Sequence, residues 1–561
     1  MVKLYFNNNQ TNAEILLNGF WNHDLPDVLN INSLCPYLED VIEYINNKKC
    51  DFYSQKDTGF VYKFKNIQSP SYIVKPGVEA IVYYNYKKNK SLREMQVPNL
   101  LHYLAFLYNS LHAFGDVFEK LYLDESNQKY VENSNSFPVF SETFYIDTGY
   151  DEEEVEFGTF TDENNKTHSR ISFDCSKNRI LKEQGAYIYK LKMDIESFYP
   201  NIYTHYLEKI KDYEPYKLLC IPEDYFCFLD EYNMKVNNNQ TKGIPTGVFS
   251  SQISAELCML CVDFEIRKQT KDLDIGYIRY VDDLSFYSDS KDELEKVKSI
   301  VQKILNNYRL RINGNKTEIT KNIYEQQQIY YTEIKNYFPF LFQDSSKTFN
   351  MDDYKRYVSQ CLTKGRISQI KSLLTTTYKF LQKKQDEEES EKLKDIILNE
   401  LFNYLLQLSF EEVLLSVHIY KILNLIIENS ENQERLIKIL RNKTKYVNLE
   451  HSDTLMQIWH YYILSKNIPN NEFINLLVSE SIENPIIITM SVKEGEKENK
   501  KLIDYIIRKF SFEDSEWKSH IMFSKWWLPL FKIYLVDGYN YYSFYNSKNF
   551  PRILSLFKYI F

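Results

Sequence analysis

The sequence predicts an α+β protein whose first part mixes strands with helices and whose last part is helical throughout. Short runs of β-branched and aromatic residues between polar turns predict strands before about residue 345, with apolar helical patterns among them. From about Met351 onward, apolar residues recur at spacings of three and four, without any strand pattern. Gly and Pro number only 14 and 15 among 561 residues, which favours helices over flexible linkers. Because a chain of this length exceeds a single core, we expect three units, at residues 1–90, 91–345 and 346–561.

The composition is that of a globular protein with an acidic balance. Lys and Arg total 68 against 77 Asp and Glu, a net charge of -9. Broad nucleic-acid binding normally requires a basic surface, so any such contact must be local or depend on bound metal. No apolar run reaches membrane-spanning length and the N-terminus lacks a signal-peptide pattern, so we expect a cytoplasmic protein without membrane contact. The eight Cys are scattered, and the Cys258–Cys261 pair lies in an apolar helical pattern, which favours buried thiols over zinc ligands.

The segment before residue 180 offers little chemistry. We assign none to the first 90 residues. From Ser91 the pattern becomes helical, with Pro98-Asn99 at the helix entry and Arg93 just upstream. Further on, an acidic run at 151–154 precedes several basic residues, among them Arg170. They could form a basic strand pair facing phosphates or an ordinary exposed hairpin, and the sequence leaves both open.

Three carboxylates follow at two predicted strand ends. One strand runs into Asp194 and then turns at Phe198–Asn201 toward a helix. The second feature is a tight β-hairpin, Tyr277–Tyr287, with Asp282 and Asp283 side by side at its tip. Adjacent acids repel each other, and a bound divalent cation is the usual remedy, although Asp is also common in solvated turns.

Other motifs lie between and after these strands. The turn Gly243–Ser251 contains two Gly around a Pro, which allows close backbone approach to a ligand, and it leads into an apolar helix. After the hairpin, Ser290-Lys291-Asp292-Glu293 predicts a capping box that opens an amphipathic helix. A second capping box is expected at Ser409–Glu412. The turn Asn313–Thr317 carries Lys316.

A βαββ order can bring the Asp194 strand end beside the hairpin tip. Three carboxylates then converge, and hard oxygen ligands with open positions suit Mg²⁺ held together with substrate phosphates. Two such ions can clamp the attacking and leaving oxygens of a phosphoryl transfer, with Mn²⁺ as a substitute. Lys316 would then neutralise or protonate the leaving group. Tyr199 would lie under the sugar, where its ring would clash with a 2′-hydroxyl and select deoxynucleotides.

At these residues the sequence resembles reverse transcriptases. Asp194–Tyr199 resembles their first catalytic motif, and Gly243–Ser251 resembles the loop and helix that position the incoming nucleotide. Tyr280-Val281-Asp282-Asp283 is similar to the YxDD box, and Asn313–Thr317 to the lysine motif that follows it. The resemblance covers roughly residues 90–330 and implies a palm and fingers followed by an all-α, HEAT-like helical-repeat domain.

The resemblance also implies the roles of individual residues. The catalytic residues would be Asp194, Asp282 and Asp283, and the metal would be bound at Asp194, Ile195, Asp282 and Asp283. The expected nucleotide contacts are Tyr199, Gly247, Lys316, Arg93 and Arg170.

Within reverse transcriptases, the chain resembles the abortive-infection (Abi) group of bacterial phage-defence enzymes, of the AbiK type. The similar segments are Val97–Leu100, Tyr203-Thr204-His205, Gly243–Gly247 and the helical C-terminal half. That resemblance implies a homo-oligomer that makes single-stranded DNA from dNTPs without a template, primed by and attached to its own tyrosine. A phage component would be a further partner. Among 47 Tyr, no local motif marks the priming residue.

Other readings stay open at this point. Template-directed reverse transcription, as in retrons or group II introns, is the first alternative. A nucleotidyl cyclase also presents carboxylates to two metals, but the Tyr199 and Lys316 positions disfavour it. A non-catalytic phage-sensing scaffold is the alternative of another class, and the intact set of three Asp disfavours it. An additional nuclease in the helical half lacks the expected Arg-to-His spacing.

Overall fold

The structure is a computed structural model that describes most of the central and C-terminal parts of the chain. The described residues are 17, 19–31, 33–34, 59–63, 70–74, 78–114, 117–118, 120–122, 124–136, 145–147, 152–154, 159–161, 167–169, 180, 182–185, 187–217, 223–322, 330–342, 349–386, 395–493, 501–502, 505 and 524–537.

Hairpins and one long helix form the first part. Strands β1 (Gly59–Lys63) and β2 (Pro70–Val74) pair antiparallel, as do β3 (Ile81–Tyr86) and β4 (Leu92–Val97). Helix α1 (Leu100–Phe114) begins directly after Pro98-Asn99, as predicted. The helical pattern expected from Ser91 is wrong for Leu92–Val97, because every residue of that segment has a partner on β3. This hairpin also crosses the predicted boundary at residue 90.

Short elements separate these hairpins from the central sheet. They are the three-residue α2 (Lys120–Tyr122), the pair β5 (Tyr145–Asp147) and β6 (Glu152–Glu154), and the pair β7 (Thr159–Thr161) and β8 (Thr167–Ser169). The sequence left open a basic strand pair or an exposed hairpin near Arg170. The structure has the strand pair β7–β8 just before that residue. Arg170 lies outside the described residues.

A four-stranded antiparallel sheet forms the centre. Its order is β10 (Gly276–Tyr280), β11 (Asp283–Ser288), β9 (Tyr189–Asp194) and β12 (Glu318–Lys321). Four helices separate β9 from β10, and one follows β11: α3 (Phe198–Asn201), α4 (His205–Lys209), α5 (Glu223–Val236), α6 (Phe249–Thr270) and α7 (Lys291–Asn307).

Helices α6 and α7 cover the sheet in the two ways that the sequence predicts. Helix α6 is buried on nearly every side, which explains its apolar pattern. Helix α7 buries one stripe that includes Leu294, Val297 and Val301. Ser290 accepts a hydrogen bond from the Glu293 amide at 3.3 Å, so the N-cap is confirmed. Glu293 itself accepts from the Ser288 hydroxyl.

The remaining described chain is helical. Its helices are α8 (Tyr330–Tyr337), α9 (Met351–Thr363), α10 (Ile367–Asp386), α11 (Asp395–Glu411), α12 (Ser416–Asn429), α13 (Gln433–Arg441), α14 (Thr444–Glu450), α15 (Leu455–Asn467), α16 (Asn470–Ser479), α17 (Pro485–Met490) and α18 (Trp527–Asp537). The helical pattern that begins at about Met351 is interrupted at Gly365, between α9 and α10, where φ is +66°. Among the described helices, none combines the length and apolarity needed to span a bilayer.

The capping box expected at Ser409–Glu412 is wrong. Helix α11 continues through Ser409, whose hydroxyl donates back to the Leu406 carbonyl at 2.7 Å. The Glu412 side chain instead accepts from the Leu414 amide and caps the short turn after α11.

Both parts of the protein share one continuous cluster of buried apolar side chains. The β3–β4 hairpin meets the helical part directly: the Tyr84 amide donates to the Asp453 carbonyl at 2.8 Å. Near the N-terminus, the Trp459 indole donates to the Asp24 carbonyl at 2.7 Å. The helical character of this part is confirmed over the described residues, whereas its HEAT-like repeat character stays a prediction.

Candidate active site

The predicted hairpin exists and places two acids at its turn. Strands β10 and β11 pair from Gly276 opposite Tyr287 to Tyr280 opposite Asp283, which leaves Val281 and Asp282 in the turn. Tyr277 and Phe286 stack on the buried side, with ring centroids 4.4 Å apart, and hold the register. The turn itself is strained, because Val281 has a φ of +54°.

The third acid lies beside this turn, as expected. Asp194 at the end of β9 is the register partner of Asp283 on β11. The Ile195 amide donates to the Asp282 carbonyl at 3.2 Å. The sheet therefore brings Asp194, Asp282 and Asp283 to one edge, and the backbone of Ile195 lies next to them.

Burial and the neighbouring acids both act on the carboxyl group of Asp282. Burial, followed by the charges of Asp283 and Asp194, raises the pKa of Asp282 to about 6, and Arg93 opposes the shift. A carboxylate in this position is stabilised by a nearby cation.

Two lysines supply positive charge to the acids. The Lys316 ammonium lies 2.9 Å from Asp194 Oδ1, and the Asn313 amide donates to Asp194 Oδ2 at 3.3 Å. Lys192 Nζ lies 3.8 Å from Asp283 Oδ1. The Lys316 side chain is 61 % exposed, so its ion pair is open to exchange with another cation.

The acids fit a hard divalent cation by their chemistry. All three side chains offer only oxygen ligands, and Lys316 already neutralises Asp194 as a cation would. In the part of the chain that the structure describes, no three His, Cys, Asp or Glu side chains stand in a ready metal-binding arrangement. A cation bound at Asp194 Oδ1 would compete with the Lys316 ammonium for that oxygen.

The glycine loop packs against the turn that follows Asp194. The Gly243 amide donates to the Ile202 carbonyl at 2.8 Å, and the Ile244 amide donates to the Tyr199 carbonyl at 3.0 Å. On its other side, the Thr246 carbonyl accepts from the Gln96 amide at 2.9 Å. The loop is thus fixed between the turn after β9 and the β3–β4 hairpin.

Gly247 occupies a position that only glycine fills without strain. Its φ is +97°, and a Cβ atom there would lie 2.6 Å from the Met95 Cε atom. Met95 lies on β4, two residues after Arg93 and on the same face. The close approach of the loop to the hairpin places Arg93 and Gly247 on the same side of the site.

Tyr199 lies at the same site. Burial raises its pKa well above the ordinary value, the charges of Asp282 and Glu256 add to the rise, and Arg93 opposes it. Of the sequence-predicted residues, Asp194, Ile195, Asp282 and Asp283 adjoin one another, and Lys316 contacts Asp194. Arg93 and Tyr199 interact electrostatically with Asp282, whereas Gly247 contacts Met95 on the neighbouring hairpin. Only Arg170 has no described position.

A buried ionic cluster beneath the hairpin was missed by sequence reasoning. Arg279 is fully buried and pairs with Glu256 at 2.9 Å and with Asp263 at 2.7 Å. Burial raises the pKa of Glu256, but the charge of Arg279 and hydrogen bonds from Arg279, Ser134 and Ser136 outweigh it and leave that pKa lowered. Two acids seven residues apart in an apolar helix, with an Arg in an apolar strand, were the available signal.

Comparison with known proteins places this site in a family. Residues 156–349 match the family model described as reverse transcriptase (RNA-dependent DNA polymerase). The matched segment includes β9, β10, β11 and β12, all three acids and Lys316.

The chain contains a reverse transcriptase domain. The match supports the predicted enzyme class for this segment, a DNA nucleotidyltransferase of the reverse transcriptase type. The retron Se72 reverse transcriptase of Salmonella heidelberg (strain 579083-10) is 28% identical to the chain over 134 residues, which are 23% of this chain and 32% of the relative. The alignment thus spans about a third of the curated relative's length.

Solved telomerase structures are also similar to the chain. Telomerase from Candida albicans with a TWJ fragment of telomeric RNA gives a TM-score of 0.28 at 10% identity, covering 74% of this chain and 66% of that chain. Apo telomerase from Candida tropicalis gives 0.27 at 13% identity, covering 82% and 69%. Because these scores are low, the reverse-transcriptase-like fold rests on the family match and on the observed sheet.

Proposed function

We propose that the protein is a cytoplasmic phage-defence DNA polymerase that makes single-stranded DNA from dNTPs, without a template and linked to one of its own tyrosines. The observation that carries the polymerase part is the register of β9 and β11, which puts Asp194 opposite Asp283 beside Asp282 inside a reverse transcriptase domain. The defence role, the protein priming and the homo-oligomer are supported by the resemblance of the motifs to the AbiK type.

The three acids would act as the metal-binding residues. Asp194, Asp282 and Asp283 would hold two Mg²⁺, and the buried, apolar Ile195 can contribute only its main-chain carbonyl. When bound, the ions activate the attacking hydroxyl and neutralise the charge of the leaving pyrophosphate. The raised pKa of Asp282 fits this role. Burial and the neighbouring acids disfavour its carboxylate form, and a bound cation would stabilise that form.

The other residues would bind and orient the nucleotide. Lys316, once released from Asp194, would neutralise or protonate the departing pyrophosphate. Arg93, on the hairpin face that contacts the glycine loop, would contact the triphosphate, as would Arg170. The backbone at Gly247 would approach the nucleotide closely, and the Tyr199 ring would exclude a 2′-hydroxyl.

The deciding experiment supplies no nucleic acid. Full-length purified protein incubated with Mg²⁺ and labelled dNTPs should form DNA that stays attached to protein after denaturation and is released by protease. Asp282→Asn together with Asp283→Asn should abolish the product and is the matched control. Mass spectrometry of the DNA-linked peptide would then identify the priming tyrosine.

The retron relative supports a second candidate, template-directed DNA synthesis from RNA. If DNA forms only after a primed RNA template is added, this function replaces the first. A non-catalytic phage sensor is the remaining alternative. It would be favoured if Asp282→Ala with Asp283→Ala left protection against phage unchanged in cells.

A further inference from the structure

The turn that carries Asp282 is held in a conformation that its own sequence disfavours. Val281 is β-branched and has a φ of +54°, a region that such residues rarely adopt. Conformations of this kind persist only where the surroundings impose them. The direction of Asp282, the next residue, therefore depends on whatever fixes Val281.

One hydroxyl group fixes Val281. Ser136 Oγ accepts a hydrogen bond from the Val281 amide at 2.9 Å and another from Arg279 Nη1 at 3.0 Å. These two bonds use both acceptor positions of the hydroxyl, so Ser136 Oγ is held between Val281 and Arg279. The Ser136 side chain also helps to lower the pKa of Glu256.

The same cluster also holds the carbonyl group of Val281. Arg279 Nη1 also donates to the Val281 carbonyl at 3.1 Å. Because Arg279 is locked between Glu256 and Asp263, the buried ion pairs orient both polar groups of Val281.

The backbone around Ser136 is anchored to strand β10. The Arg279 amide donates to the Asn133 carbonyl at 2.8 Å, and the Asn135 amide donates to the Arg279 carbonyl at 2.7 Å. Ser134 forms a parallel bridge with Arg279. The segment 133–136 thus runs along the edge of β10 opposite to β11 and is bonded to the hairpin.

We propose that Ser136 is a positioning residue of the reverse transcriptase site, which sets the conformation of Val281 and thereby aims the Asp282 carboxylate at the metal. The inference rests on the proposed polymerase function. Ser136 touches no substrate and acts only through the turn. It lies outside the residues that match the family model.

The test removes or restores the hydroxyl in the full-length protein. Ser136→Ala should lower kcat for dNTP incorporation by about 10-fold to 100-fold, with the KM for dNTP changed less than about twofold. Mn²⁺ binding, followed by electron paramagnetic resonance without nucleotide, should weaken about tenfold. Ser136→Thr keeps the hydroxyl and should restore both quantities.

Tyr277→Phe is the matched control. It removes the 2.6 Å hydrogen bond from Tyr277 to Asp263 at the far end of the same cluster, without touching Val281. It should lower the melting temperature while Mn²⁺ binding and kcat stay near wild type.

Two outcomes would overturn the proposal. One is wild-type kcat and Mn²⁺ affinity in Ser136→Ala, and the other is an equal loss of both in Tyr277→Phe, which would indicate a merely structural cluster. If wild-type protein binds Mn²⁺ yet makes no DNA under any condition, the proposed function fails instead. The Mn²⁺ comparison then still decides the role of Ser136.

Discussion

The raised pKa of Asp282 bears directly on its proposed role as a metal ligand. Its carboxyl group is half-buried beside two other acids, and its pKa lies near 6 rather than at 3.8. Between these two values the folded protein binds more protons than the unfolded chain at this position. The contribution of Asp282 to stability therefore falls as pH rises through that window and stays reduced above it.

This sign predicts the behaviour of Asp282→Asn. Without divalent cations, the variant should melt at a higher temperature than wild type at pH 8, and the gain should shrink below about pH 6, where the wild-type carboxyl is protonated. Adding Mn²⁺ at pH 8 should stabilise the wild type but not Asp282→Asn. Asp272→Asn, at an exposed position after α6, is the control: it should melt like wild type at pH 8 and should be stabilised by Mn²⁺ as wild type is. A gain that is independent of pH and of Mn²⁺ would contradict the assignment of Asp282 as a strained metal ligand.

At the scale of elements, the glycine loop depends on one backbone conformation. Gly247→Ala would place a methyl group against Met95 and force an L-residue to a φ of +97°. We expect a loss of about 1–3 kcal/mol in the free energy of unfolding and a raised KM for dNTP. Met95→Ala in the same chain should relieve the contact but not the backbone strain, so recovery should be partial.

Gly314→Ala is the matched control for this prediction. A Cβ atom at Gly314 would meet no atom within 4 Å, and its φ is not positive. Its melting temperature should equal that of wild type or exceed it slightly. Full recovery in the Met95→Ala double variant would show that only the side-chain contact matters at Gly247.

The elements also show which parts of the fold the sequence could predict. The Asp194 strand and the Asp282 hairpin follow from local alternation and turn chemistry, and the structure has both. Strand β4 was missed because only Met95 and Val97 mark its apolar face. The rest of that face comes from β3, with which β4 pairs. Ser409 was misjudged as a cap because its bond partner lies within the preceding turn of the helix.

Contacts between distant segments were beyond local reasoning. Ser136 and Val281 are 145 residues apart, and no pattern in either segment marks the bond between them. The same holds for Arg279, whose two acids lie among apolar residues of α6. The acids of the site could be predicted, whereas the groups that orient them could not.

At the scale of the whole molecule, the helical part supports the β3–β4 hairpin, which carries Arg93. One face of β3–β4 carries Arg93 and Met95 toward the site, and the other face carries Tyr84 and Tyr86 toward the helices. The Tyr86 hydroxyl lies 2.6 Å from His451 Nδ1. At the hairpin tip, Lys90 Nζ lies 3.4 Å from Glu412 Oε2. Because these contacts hold the hairpin on the face opposite to Arg93 and at its tip, the helical part should set the position of Arg93.

The last prediction tests this support through nucleotide affinity. Tyr86→Phe removes the hydrogen bond to His451 and should raise the KM for dNTP by up to about fivefold, since such a bond contributes about 1 kcal/mol. The change in kcat should be smaller, because the acids belong to a different sheet. Tyr84→Phe keeps the backbone bond to Asp453 and should leave KM unchanged. Equal KM values in both variants and wild type would mean that the helices bind the hairpin without positioning Arg93. A fall in kcat alone would instead connect the helical part to the sheet that carries the acids.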